Sequence, residues 1–287
     1  MKHPFDWGPS RALEALAGRS LDALVDHDIR QRVQEMGLRH SPYGYDAWGV
    51  SATAAARALA IARWFYRSYF RVESTGVENI PAGRVLLIAN HSGQLPIDGV
   101  LIAAAVALEG RPPRHVHAMI ERFFAGVPFL NTLMQRVGQT IGLPAHCERL
   151  LQSDEAVLVF PEGVRGSGKT VFHRYQLMGF GQGFMRLAMR TNTPIVPVGF
   201  VGGEEMAISF SRLLPLARVL GLPYLPLSPT LTLPMPVRCN ITFGRPLLFE
   251  GTGNETDDVV LAHVNSVEEA IAELLQEGRS RRASIWD

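Results

Sequence analysis

The sequence predicts an α/β protein: a mixed, mostly parallel sheet flanked by helices, with a helical segment at the N-terminus. Three observations predict it. From Thr75 onward, short apolar runs alternate with longer stretches of helical spacing, the rhythm of βαβ units. Two of those runs, Val85-Leu86-Leu87-Ile88-Ala89 and Ala156-Val157-Leu158-Val159, lead directly into short polar segments. Open α/β sheets place ligands outside the carboxyl ends of their strands, so two such ends point to one site. The chain before Thr75 lacks this alternation and reads as helical.

Residues 1–45 are rich in charge and read as helices and loops, and residues 46–71 as an Ala-rich helix. That helix ends in Arg63-Trp64-Phe65-Tyr66-Arg67-Ser68-Tyr69-Phe70-Arg71, whose arginines recur every fourth residue and share one face. Aromatics beside basic residues suit a lipid headgroup interface. An ordinary amphipathic helix packed on the domain gives the same pattern. Strand Val85–Ala89 is followed by an apolar helix over Gly99–Leu108, a strand at His115–Met119, a helix near Pro128–Val137 and a short strand at Gln139–Leu143. A helix over Glu148–Ser153, strand Ala156–Phe160, a helix over Gly181–Arg190 and strand Ile195–Phe200 close the series.

Residues 211–237 break the rhythm. Pro215, Pro223, Pro226, Pro229, Pro234 and Pro236 exclude helix and central strand, and the stretch is too apolar for a solvated loop. It is core-packed or faces lipid. A strand at Arg238–Phe243 follows. The last helix, Asp257–Glu277, carries Val260, Val264, Val267, Ile271 and Leu274 at helical spacing and is closed by Gly278. Arg279, Arg281, Arg282 and Trp286 then form a disordered tail. These shifts divide the chain into a helical segment over 1–74, an α/β domain over 75–250, and a C-terminal helix and tail over 251–287 packed on that domain.

With 287 residues the chain can bury a full core. A net charge of +1 gives no global reason to expect nucleic acid. Cys147 and Cys239 lack metal-ligand spacing, which argues against a zinc site or a disulfide framework and for a reducing compartment. Met1–Ser20 has no apolar core of the signal-peptide kind. The longest apolar run, Val100 to Leu108, falls far short of the ~20 residues of a spanning helix. Yet 47% of the residues are hydrophobic, which leaves room for contact with a membrane surface.

The first strand end carries Asn90-His91 and, seven residues on, Asp98. A neutral imidazole takes a proton from an alcohol near neutral pH, and a carboxylate on its other nitrogen fixes the tautomer. Asp98 could equally cap the helix that follows, and His91 could be a satisfied loop histidine. The second strand end carries Phe160-Pro161-Glu162-Gly163-Val164-Arg165. Pro161 ends the strand, Gly163 turns the chain, and Glu162 and Arg165 are expected at the rim. Arg165 would clamp an anionic head.

Together with Arg122-Phe123-Phe124…Pro128 and Pro194-Ile195-Val196-Pro197-Val198, these segments resemble the glycerolipid acyltransferases that include lysophosphatidic acid acyltransferases. The resemblance runs from about Val77 to Leu248. It implies a glycerol-3-phosphate acyltransferase-like fold, His91 as general base and Asp98 as its partner. It further implies that Glu162, Gly163, Arg165 and Arg122 bind the acceptor. The donor would be an acyl thioester on coenzyme A or acyl carrier protein, with no cofactor and no metal. The acceptor would be a glycerolipid-like hydroxyl. The enzyme would be cytoplasmic and peripheral on the inner face of the cell membrane. Six residues, Ser92 to Ile97, separate His91 from Asp98, two more than is usual in the family, and Val164, Gly166 and Pro144 also depart from its pattern. The spacing and Phe172-His173-Arg174-Tyr175-Gln176-Leu177 are similar to the bacterial branch related to mono- and diacylglycerol acyltransferases. Amides of Ser92–Pro96 or of the helix start at Gly99 are candidates for oxyanion donors.

Gly163-Val164-Arg165-Gly166-Ser167-Gly168-Lys169-Thr170 also matches a P-loop. A P-loop needs a helix starting at its Lys-Thr, and Val171-Phe172-His173-Arg174-Tyr175 has no helical period. Loss of Lys169 is therefore expected to be mild. Gly179-Phe180-Gly181-Gln182-Gly183 follows no strand and reads as a helix entry. A catalytically silent, lipid-binding member of the same fold is the remaining alternative.

Overall fold

The computed structural model describes residues 20–38, 41–92, 96–120, 130–167, 169, 173–206, 211–212, 226–227, 234–282 and 284. Helices α1 (His27–Glu35) and α2 (Ala52–Trp64) precede strand β1 (Glu73–Thr75). Then come β2 (Val85–Ala89), α3 (Ile97–Glu109), β3 (Val116–Ile120), α4 (Leu130–Arg136), β4 (Thr140–Ile141), α5 (Pro144–Gln152) and β5 (Ala156–Val159). The chain continues through α6 (Val164–Ser167), α7 (Gly183–Thr191), β6 (Ile195–Val201), α8 (Gly203–Met206), β7 (Ser211–Arg212), β8 (Pro226–Leu227), β9 (Asn240–Phe243) and α9 (Asp257–Arg281).

Seven strands form one sheet in the order β1-β9-β6-β2-β5-β3-β4. Strand β2 pairs in parallel with β5 (Val85↔Ala156) and with β6 (Leu86↔Ile195). The parallel run ends at β6, which pairs antiparallel with β9. Strand β1 pairs in parallel with β9, so both point against the rest. The mixed, mostly parallel sheet is as the sequence predicts; β1 itself was not foreseen.

Strand β2 is buried at every residue, and its alternation divides the core. Val85, Leu87 and Ala89 face one layer with α1, α2 and α3. Leu86 and Ile88 face the other, with α5, α7 and α9. Successive side chains of a strand point to opposite faces, and a parallel sheet covered on both faces needs apolar residues on both. Pro144 stands at the start of α5, where its missing N–H costs nothing. Both cysteines are free and buried.

Several expectations change. Helix α9 does not stop at Gly278. It runs to Arg281, and Gly278 is buried against Val201, whose Cγ2 would lie 3.0 Å from an added Cβ. The glycine serves close approach of helix to sheet rather than a helix end. Arg282 is no part of a loose tail: it forms a buried ion pair with Glu205. The arginines at the end of α2 and just after it are largely committed. Arg63 reaches Asp26 of the preceding turn at 2.6 Å, and Arg67 lies 3.9 Å from Glu109. Beyond Trp64 the chain widens into one π-turn, Phe65–Tyr69, which buries Tyr66 and Phe70 in the core. This is the packed-helix reading of the segment. Most of residues 211–237 lies outside the described residues. Ser211–Arg212 pairs with Pro226–Leu227 as a two-stranded ribbon apart from the main sheet, where a proline is tolerated. Tyr69 Oη and Arg71 Nη2 donate to the carbonyls of Pro234 (2.7 Å) and Pro236 (3.1 Å).

Candidate active site

The site is assembled where β2, β5 and β6 end. Asn90, fully buried, ties the first and last of these together: its amide nitrogen donates to the Phe200 carbonyl at 3.0 Å, and its oxygen accepts from the Phe200 N–H at 2.7 Å. Fixed in this way, the chain presents His91 at the sheet edge.

His91 Nδ1 lies 2.6 Å from Asp98 Oδ2. The same Asp98 oxygen accepts the Ser92 N–H at 2.9 Å, and Oδ1 accepts the Gly99 N–H at 2.8 Å. With two amides directed at it, the carboxylate offers Nδ1 an acceptor, so Nδ1 carries the ring proton and the basic lone pair falls on Nε2. Asp98 is not the N-cap of α3, a place held by Pro96; it sits in the first turn and folds back on the preceding loop. Its side chain is fully buried, while His91 keeps 12% exposure. The ring of Phe160 stacks on His91 at 4.5 Å between centroids. The Ser92 and Gly99 amides, expected as oxyanion donors, are engaged by Asp98; Gly93–Leu95 lie outside the described residues.

Glu162 is not at the rim. It is buried, and both its oxygens are used within the protein. Oε1 accepts the His91 N–H at 2.8 Å, Oε2 accepts the Met178 N–H at 2.8 Å, and Lys169 Nζ lies 2.9 Å from Oε2. Glu162 therefore braces the site from behind, and the expectation that it meets the acceptor is corrected on that ground. Gly163 takes φ 54, the left-handed turn that carries the chain into α6. At Gly166 an added Cβ would fall 2.7 Å from Glu162 Cβ and 2.8 Å from His91 Cβ, so the two motifs meet over a bare backbone. Arg165 is exposed at this edge, and its Nη2 donates to the Gly179 carbonyl at 3.0 Å. Arg122 lies outside the described residues.

Lys169 departs from expectation most. Its ammonium is buried between Glu162 and Glu204 and donates to the His91 carbonyl at 3.2 Å. A group a P-loop would turn to phosphate is taken up by two carboxylates. The helical turn α6 also precedes this lysine instead of starting from it. Glu204, in α8 just beyond β6, has its pKa pushed up to about 7: burial raises it, Lys169 opposes, and Glu162 adds to the rise. Asn90, Phe160, Lys169 and Glu204 were not singled out as site residues. The strand-end rule that found His91 and Glu162 applies equally to Glu204, three residues beyond Val201.

Residues 71–201 match a family model described as Acyltransferase. An uncharacterized protein of Mycobacterium tuberculosis is 35% identical over 281 residues, covering 93% of this chain and 76% of that one. The human 1-acyl-sn-glycerol-3-phosphate acyltransferase alpha is 30% identical over 134 residues, 45% of this chain and 44% of its own. Among solved structures, the 1-acyl-sn-glycerophosphate acyltransferase PlsC of Thermotoga maritima superposes with a TM-score of 0.56 at 15% identity, covering 88% of this chain and 89% of that one; the likeness is one of fold. His91, Asp98, Glu162, Arg165 and Lys169 all fall within the matched residues 71–201, which form an acyltransferase domain.

Proposed function

We propose that this enzyme moves a fatty acyl group from an acyl thioester, on coenzyme A or a carrier protein, to a hydroxyl of a glycerolipid acceptor. The observation that carries the reading is the 2.6 Å contact of His91 Nδ1 with a buried, amide-held Asp98. Acyl transfer to a glycerolipid is also the activity in the names of the human relative and of PlsC. His91 Nε2 takes the hydroxyl proton as the oxygen attacks the thioester carbonyl. The tetrahedral intermediate collapses, the C–S bond breaks, and the imidazolium returns its proton to the thiolate. The thioester is already activated, so no acyl-enzyme is required. The test is wild-type enzyme with labelled acyl-CoA or acyl carrier protein against lysophospholipids, monoacylglycerol and diacylglycerol. A labelled ester with release of thiol is expected; no acylation of any acceptor from either donor would sink the reading.

Arg165 is an exposed cation beside His91's strand end, and on this reading it meets the acceptor's polar head. Loss of a charge-assisted hydrogen bond costs about 1.5–3 kcal/mol. Arg165→Ala should raise the acceptor KM roughly 10- to 100-fold, by the same energy, and leave the donor KM nearly unchanged. An unchanged acceptor KM removes Arg165 from the site.

The same reading seats the enzyme on the inner face of the cell membrane from the cytoplasmic side. Among the described residues no helix is long and apolar enough to cross a membrane. Trp64 (54% exposed) and the nearby Ile61 form an apolar edge that could enter the headgroup layer. Because Arg63 and Arg67 already have acidic partners, salt should weaken binding less than three uncommitted arginines would require. Flotation with anionic liposomes at low salt should carry the wild type upward, and Trp64→Glu should release it. Wild type left at the bottom of the gradient refutes the membrane seat.

A further inference from the structure

Lys169 belongs to a residue type that seldom leaves water, yet its side chain is 1% exposed, between Glu162 at 0% and Glu204 at 3%. Its contacts form a closed ring. Glu162 Oε1 holds the His91 N–H at 2.8 Å, Lys169 Nζ holds the His91 carbonyl at 3.2 Å, and Lys169 Nζ closes on Glu162 Oε2 at 2.9 Å. The histidine is therefore gripped at its own N–H and its own C=O by one buried ion pair. Those two groups flank both soft torsions of the residue, and fixing them fixes the direction in which Cβ and the imidazole leave the backbone.

We propose that Lys169 is a positioning residue for acyl transfer: with Glu162 it clasps the His91 backbone and so sets the imidazole against Asp98 and the acceptor hydroxyl. The inference rests on His91 being the base. Glu204 supports the clasp from behind. Its Oε1 lies 3.7 Å from Lys169 Nζ and accepts the Tyr175 N–H at 3.4 Å, which ties the clasp to the turn after α6. Gly166 completes the arrangement, since any side chain there would push His91 and Glu162 apart. If Lys169 served stability alone, the two carboxylates would satisfy it. Its donation to His91 is what connects it to the reaction, and a misplacement of about 1 Å at a reacting group costs on the order of 10²-fold in rate.

The experiment compares wild type, Lys169→Met and His91→Ala as purified full-length proteins, each checked for folding by circular dichroism and thermal melting. Folded Lys169→Met should lose about 10²-fold in kcat, with donor and acceptor KM within about twofold of wild type, because no substrate contact is removed. The downfield proton resonance of His91 Nδ1–H, absent in His91→Ala, should shift or broaden in Lys169→Met. A stabilising lysine remote from the reaction would move neither reading once the protein is folded. Wild-type kcat with an unmoved resonance overturns the inference. Should Lys169→Met fail to fold, Lys169→Met with Glu204→Gln removes the second buried carboxylate and carries the same test with the same expected losses. The two readings fail separately. Turnover retained by His91→Ala overturns the base itself; a dead His91→Ala beside a fully active Lys169→Met overturns only the clasp.

Discussion

His91→Ala should abolish measurable acyl transfer while leaving the fold intact. General-base help contributes roughly 10²–10⁴ in rate, and that help is lost with Nε2 once the ring is gone. The ring lies at the rim, 12% exposed, against Phe160, so its loss opens the edge of the site rather than a cavity in the core. Melting should therefore change little. Asp98→Asn should slow the reaction strongly as well, by a different route. An amide that turns its NH₂ toward Nδ1 selects the tautomer with the proton on Nε2, where it cannot serve as base. Steady-state kinetics of the two variants, with melting curves alongside, decide the matter. Near-wild-type turnover in folded His91→Ala would mean that another group takes the proton.

Glu162→Ala should produce the largest loss of stability of any single change at the site. Removing one partner of a buried ion pair typically costs about 3–5 kcal/mol, because the other charge stays buried without compensation. Here Lys169 would be left beside Glu204 alone, and the N–H groups of His91 and Met178 would lose their acceptor. Denaturant titration should show that loss with little change in slope, and activity should fall with it. A variant of wild-type stability and raised acceptor KM would return Glu162 to the substrate-contacting role that its motif suggests.

The contrast between His91 and Glu162 explains what the sequence could and could not reveal. His91 and Asp98 are seven residues apart, and their pairing depends on one loop and the first turn of α3; a local reading finds them. The parts of Glu162's environment come from 71, 16 and 7 residues away, and nothing near Pro161-Glu162-Gly163 announces that the side chain turns inward. Lys169 was obscured by a pattern that fits a P-loop in letters, since letters do not record which carboxylates surround an ammonium. Strands β2, β5 and β6 were legible because each is a compact, mainly apolar run. Strand β1 is three polar residues, and only its pairing with β9 makes it a strand. Gly278 was misread because helix ends and close helix–sheet contacts both select glycine, and the choice between them depends on Val201, far away in the chain. The four-residue spacing puts Arg63, Arg67 and Arg71 on one helix face, but Arg71 lies beyond the helix, and the acidic partners of Arg63 sit on and just before α1.

The strand order has a consequence for the time course of synthesis. Strand β2 is central, yet both its neighbours are made later: β5 some 70 residues on, and β6 more than 100 residues on. When residues 90–98 leave the ribosome, neither the acceptor for the His91 N–H nor the backbone that Asn90 grips yet exists. At roughly 5–20 residues per second the gap lasts several seconds. During it a wholly apolar strand must wait without partners, which makes it a stretch for chaperones to shield. The reactive arrangement comes into being only after residue 200 has been added, so a nascent chain cannot act before β2 has gained both its neighbours.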